Sequence, residues 1–151
     1  MNLTKNFTLS ELTKSNDAAR HGIDNTPTAQ IAENLKGLAE NILQPVRDKF
    51  GMVTVSSGYR CKALNVKIGG AVASDHMLGF AADFEVPGVH NKLLAEWIKD
   101  NLKFTQLIYE FPGQNPNDGW IHCSFNPANL KNQCLTAIKQ NGKTVYLNGI
   151  T

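Results

Sequence analysis

No stretch of this sequence stays apolar for anything near the ~20 residues that a membrane-spanning helix needs, and the opening MNLTKNFTLSEL lacks the basic-then-apolar order of a signal peptide. The expectation is a soluble chain made in the cytosol, with no membrane partner, whose export would need help from another protein. An excess of one charge is missing too. Fifteen Lys and Arg against 13 Asp and Glu leave a net charge of +2, dispersed along the chain, so there is no electrostatic footprint for nucleic acid. The three cysteines, Cys61, Cys123 and Cys134, are too few and too scattered for a disulfide framework or a CxxC zinc site. They read as buried or idle thiols, with a Cys123–Cys134 bridge as the remaining option. Repeats, low-complexity segments and linkers are also absent, so the 151 residues read as one domain, 1–151, large enough to build a core without metal or disulfide staples.

What is present is helical first and extended afterwards. TLSE at 8 to 11 is a capping box with Thr8 as the cap, and Phe7 and Leu12 are placed to staple the start of that helix. Thr26 followed by Pro27 predicts the start of a longer helix, in which Ile31, Leu35, Leu38, Ile42 and Val46 recur every three or four residues and Pro45 should introduce a kink. After Gly51 the period changes to two, and MVTVSS reads as a half-buried strand running into SGYR. HNKLLAEWIKDN predicts a short amphipathic helix with Leu93, Leu94, Trp97 and Ile98 inward. FTQLIYEF and WIHCSF read as strands joined by the loop 112–119, and Asn141-Gly142 predicts a closing hairpin. Helices before strands argue for an α+β fold, with N-terminal helices packed on a small, mainly antiparallel sheet.

The chemistry concentrates in SDHMLGFAADF, residues 74–84. On a straight helix, residues seven apart would be separated by ~10 Å along the axis, whereas two ligands of one zinc ion lie within ~4 Å. His76 and Asp83 can act together only if the chain folds back between them, and Gly79 permits the reversal. Asp83 then sits in a largely buried strand, FAADFEV, where a carboxylate is costly without a positive partner such as a metal ion. His122 lies within a third apolar strand and shares a face with Trp120 and Ser124. Two histidines and an aspartate make a three-ligand zinc set that leaves a position open for water. Non-haem iron oxygenases use the same residue types, but usually as HxD on one strand. Here the pair brackets a turn, which favours zinc.

SGYR (57–60), Asn65, GG (69–70), SDHMLGFAAD (74–83) and WIHCSF (120–125) together resemble the M15 zinc peptidases, whose hallmark is SxHxxGxAxD followed far downstream by a strand histidine. FTLSEL, GIDN and PVRDKFG resemble the compact D-alanyl-D-alanine carboxypeptidase-like branch common in bacteriophages. The resemblance implies the hedgehog-like zinc-peptidase fold, Zn²⁺ held by His76, Asp83 and His122, and hydrolysis of a peptide bond in the stem or cross-bridge of peptidoglycan. It implies that Arg60 binds a substrate carboxylate or stabilises the oxyanion, roles suited to a planar, permanently charged donor fork. Ser74, Asn65 and Trp120 are the further substrate-side candidates, Asn65 as a brace of the loop that carries Arg60. Action on the cell wall by a monomer, with targeting left to the substrate groove or to a phage assembly or lysis system, completes the expectation.

The general base departs from the family pattern. Many M15 enzymes carry a carboxylate three residues before the last ligand and some others a histidine two before it; those positions here are Gly119 and Trp120. Glu110 ends the strand expected to pair with WIHCSF, so a short hairpin would bring it across from the His122 region. Asp118 is the alternative base, in a loop where an aspartate is more often a turn residue. A non-catalytic, zinc-containing wall-binding or structural module is the competing function. It would need neither a base beside the metal nor a carboxylate-binding arginine.

Overall fold

A computed structural model describes residues 1–151. Helix α1 (Leu9–Thr13) starts where Thr8 Oγ1 accepts from the Glu11 N–H at 3.1 Å, with Phe7 and Leu12 both buried beside it. A second short helix, α2 (Asn16–Arg20), is capped by Ser15. Helix α3 (Ala29–Leu38) begins later than Thr26-Pro27 suggests, because Thr28 supplies the cap, its Oγ1 accepting from Ile31 N–H at 3.2 Å. Thr26 is spent on Asp24, to whose carboxylate it donates through both N–H and hydroxyl.

The kink expected at Pro45 takes the form of a π-helical turn, Ala39–Leu43, before α4 (Gln44–Phe50). Proline offers no N–H and its ring crowds the carbonyl four residues back, and a widened turn relieves both. The stripe survives it: Leu35, Leu38, Ile42 and Val46 are fully buried. A short helix not foreseen from the pattern, α5 (Lys62–Lys67), follows strand β1 (Thr54–Ser57). In α6 (Asn91–Asn101) the inward residues are Leu94, Ala95 and Ile98, while Leu93 is 55% exposed, which corrects the sequence reading. At 100° per residue Leu93 falls on the far side of that stripe, whereas Trp97, at its margin, meets Phe50 edge to face at 5.4 Å.

The remaining strands are β2 (Ala81–Glu85), β3 (Gln106–Glu110), β4 (Trp120–Ser124), β5 (Gln133–Gln140) and β6 (Lys143–Asn148). They form one six-stranded sheet in the order β1-β2-β4-β3-β5-β6, antiparallel except for β3–β5. This is the α+β architecture expected. Its back face, with Ala82, Phe84, Leu107, Tyr109, Ile121 and Cys123, packs into the core of 23 buried residues built with the helices. The front face has only a small cluster of Ile108, Leu135 and Ala137, with Phe111 against it. It is also the face of Asp83 and His122, which stand opposite one another on β2 and β4. Cys123 and Cys134 both pair with Leu107 from opposite sides, so β3 separates them and no bridge can form; all three cysteines are free.

Candidate active site

His76 comes from a 3₁₀ turn, Asp75–Leu78, capped by Ser74, whose hydroxyl accepts from His76 N–H at 3.2 Å. Gly79 ends the turn at φ 76°, and a Cβ there would come within 2.8 Å of the Ile31 carbonyl oxygen. The reversal required between His76 and Asp83 is therefore built as a left-handed glycine under α3. Nδ1 of His76 lies 2.7 Å from the Gly58 carbonyl oxygen. A carbonyl can only accept, so Nδ1 carries a proton and Nε2 is the nitrogen turned toward Asp83 and the site. Gly58 can bring its carbonyl there because it has no Cβ; one would collide with the Leu12 backbone.

Asp83 Oδ1 stands 3.4 Å from His76 Nε2 and 3.0 Å from His122 Nδ1, and one ligand atom from each of the three residues lies within 4.8 Å of the others. The side chains are 3%, 15% and 12% exposed for His76, Asp83 and His122, so a carboxylate is held almost out of water between two imidazoles. Burial would raise its pKa, but hydrogen bonds from His122 and His76 and their charge outweigh it and hold the Asp83 carboxyl well below the usual carboxylate range. Bonds of ~2 Å from three such donors converge on one point, and two nitrogens with one oxygen suit zinc. The donor set fits the ion.

These three side chains lie in a cleft of about 570 Å³ that Arg60, Ser74, Glu110 and Trp120 also line. Arg60 Nη2 donates to Ser74 Oγ at 3.3 Å, its backbone N–H donates to the His76 carbonyl at 3.1 Å, and its Nε is buried without a partner. That leaves donor capacity for an anion in the cleft. Glu110 pairs with Trp120, one step along the same face from His122. Burial raises the Glu110 carboxyl and the charge of Asp83 adds to this, while His122 opposes it. Asp118 does not line the cleft: its Oδ2 accepts from the Asn115 N–H at 3.0 Å and closes the loop as a turn residue.

Asn65 is placed differently from the sequence reading. It is 2% exposed, does not line the cleft, and donates to the Ala71 carbonyl at 2.8 Å, so it braces the loop before Ser74. The brace of the Arg60 segment is Asn25, whose side chain donates to Tyr59 O at 3.0 Å and accepts from Cys61 N–H at 2.8 Å. Its sequence signal is the GIDN tetrapeptide at 22–25. Also unforeseen are Thr144 and Tyr146, which line the cleft from β6.

Two histidines and a carboxylate at the floor of an open cleft, with an arginine on one side and a partly buried glutamate on the other, are the parts of a metal-dependent hydrolase. The profile of the Peptidase M15 family matches residues 5–124, from the start of α1 through β4, and the chain belongs to that family of zinc-dependent peptidases. No curated protein matches the chain.

Proposed function

We propose that this chain is a zinc-dependent peptidoglycan peptidase that hydrolyses a peptide bond in the stem peptide or cross-bridge, in the setting of wall lysis or wall penetration. The observation that carries the reading is the enclosure of His76, Asp83 and His122 in one cleft with Arg60 and Glu110. His76, Asp83 and His122 would hold the zinc. When bound, zinc supplies a Lewis acid that polarises the scissile carbonyl and brings the pKa of a water toward 7. Glu110 takes the proton from the attacking water and returns it to the leaving amine, a task for which a carboxyl raised by burial is suited. Arg60, already oriented by Ser74, binds the substrate carboxylate or the developing oxyanion through its planar fork. No helix is long and apolar enough to cross a membrane.

The test is digestion of purified peptidoglycan with metal content measured in parallel. Peptide-bond scission read by mass spectrometry, lost on chelation and restored by zinc at one ion per chain, is the expected result. Stoichiometric zinc with no new peptide terminus would leave the non-catalytic wall-binding module instead.

A further inference from the structure

The sheet face that carries the ligands continues beyond them. Trp120, Glu110, Ala137 and Tyr146 form one lateral row across β4, β3, β5 and β6, adjacent to the row of Asp83 and His122. Alanine is the smallest of the four, and across it Tyr146 senses Glu110: burial raises its phenol and the glutamate charge adds to the shift. Phe111, the next residue after Glu110, is held at φ 53°, a left-handed conformation that a bulky side chain seldom adopts. What holds it is the C-terminal hairpin, since Phe111 N–H donates to the Ala137 carbonyl at 2.8 Å. In that strained pose its ring meets Trp120 at 5.5 Å between centroids, tilted by 56°.

Phe111, Trp120 and Tyr146 all line the same cleft as the ligands, and Tyr146 is left 54% exposed on an edge strand. An aromatic ring directed into a cleft and left half in water contributes little to the core. The cleft is also polarised. Arg60, which lies just beyond β1 at the opposite edge of the sheet, is the sole arginine or lysine lining it, while Lys139 Nζ stands 5.5 Å from the Phe111 ring centroid without lining the cleft, so the ligands lie between Arg60 and a group of rings. With Arg60 on the substrate carboxylate, the first of its two proposed roles, a peptide spanning the ligands leaves its amino side over the rings. Flat rings cover methyl and methylene groups, and a phenol at the rim adds a hydrogen bond.

We propose that Phe111, Trp120 and Tyr146 form a subsite for the residues on the amino-terminal side of the scissile bond, with Tyr146 as a specificity-determining residue supplied by the β5–β6 hairpin. The proposal rests on the peptidase reading. The hairpin lies outside the residues 5–124 matched by the family, so the subsite adds a wall that the match does not cover.

The experiment is a ladder of synthetic stem peptides, lengthened one residue at a time on the amino side. Wild type and Tyr146→Ala are compared by KM and kcat, and by calorimetric binding to the zinc-free proteins. In the wild type KM and Kd should drop about tenfold once the peptide reaches the rings; in Tyr146→Ala that drop should be missing, and Tyr146→Phe should restore most of it. Leu93→Ala, an equally exposed apolar residue on α6, should leave the length dependence as it is. The same length dependence in Tyr146→Ala, or a loss of equal size for every peptide, overturns the subsite. A gain that needs the attached disaccharide rather than peptide residues also overturns it, because the rings would then hold a sugar. Length-dependent, Tyr146-dependent binding without cleavage sinks the peptidase reading and keeps the subsite. Cleavage without length dependence does the reverse.

Discussion

On its helix-covered side the sheet presents Phe84, Leu107, Tyr109, Ile121 and Cys123, and on its other side the neighbouring residues of the same strands present Asp83, Ile108, Glu110, Trp120 and His122. Alternation along a strand sends successive side chains to opposite faces, so each strand contributes to both without compromise between them. The back face is apolar and closed by helices. The front face holds Asp83, Glu110 and His122, with the His76 imidazole brought over it by the 3₁₀ turn, and these groups tolerate partial burial only because Asp83 meets two histidines and Glu110 opens to the cleft. Stability and chemistry are thus separated by the pleat, and changes on the two faces should fail in different assays.

The largest effect expected is on the front. His76→Ala combined with His122→Ala removes two of the three proposed ligands, so stoichiometric zinc binding and peptide hydrolysis should both vanish. Zinc-free wild type should nevertheless keep a cooperative melt, because the 23-residue core owes nothing to the metal. One tight zinc remaining in the double variant would show that the ligand set is wrong.

Next comes Glu110→Gln, which keeps shape but cannot take a proton. Turnover should fall by ~10²–10⁴ with zinc still bound. Asp118→Asn, in the turn beside Asn115, should cost little turnover. The reverse pair of results would move the base to Asp118.

A sharper comparison uses adjacent residues of β3. Leu107→Ala opens the helix-covered core and should cost about 3 kcal/mol in urea unfolding, with KM intact. Ile108→Ala, in a cluster of three and lining the cleft, should cost less stability and should raise KM. Equal stability losses would mean that the front cluster is a second core rather than the cleft floor.

The back face and the convergence of His76, Asp83 and His122 were legible in the sequence because each depends on a local rule: helical period for Leu35, Leu38, Ile42 and Val46, strand alternation for His122, and a glycine between His76 and Asp83. Glu110 was legible through the hairpin, whose register places it opposite Trp120. The errors arose where several local options competed. Thr26 and Thr28 are both caps by type, and only the bond of Thr26 to Asp24 decides between them. Asn25 and Asn65 are both bracing asparagines, and which loop each one holds depends on contacts 36 and 6 residues away along the chain. Tyr146 reaches the cleft through two strand pairings, β3–β5 and β5–β6, and the first, being parallel, has no turn in the sequence to announce it.

The smallest effect expected tests whether Glu110 sits on the costly side of this division. Burial raises its carboxyl in the folded state above the unfolded value of ~4.3. A raised carboxyl favours folding only while it is protonated. Its contribution is therefore fully present below about pH 4 and is lost as pH rises through the folded value. Glutamine mimics the neutral form at every pH. In the zinc-free protein Glu110→Gln should melt about 1–2 °C higher than wild type at pH 7, and the gap should close as pH falls to about 4. Asp83 is present in both proteins and its charge is part of what raises Glu110, while its own depressed carboxyl makes each of them lose stability as pH falls below ~3.9, under the range compared. Calorimetric melts at pH 4, 5, 6 and 7 read the gap directly. A variant that melts lower than wild type at pH 7 would mean that Glu110 gains more from a positive partner than it loses by leaving water, and the proton-accepting role would lose its physical basis.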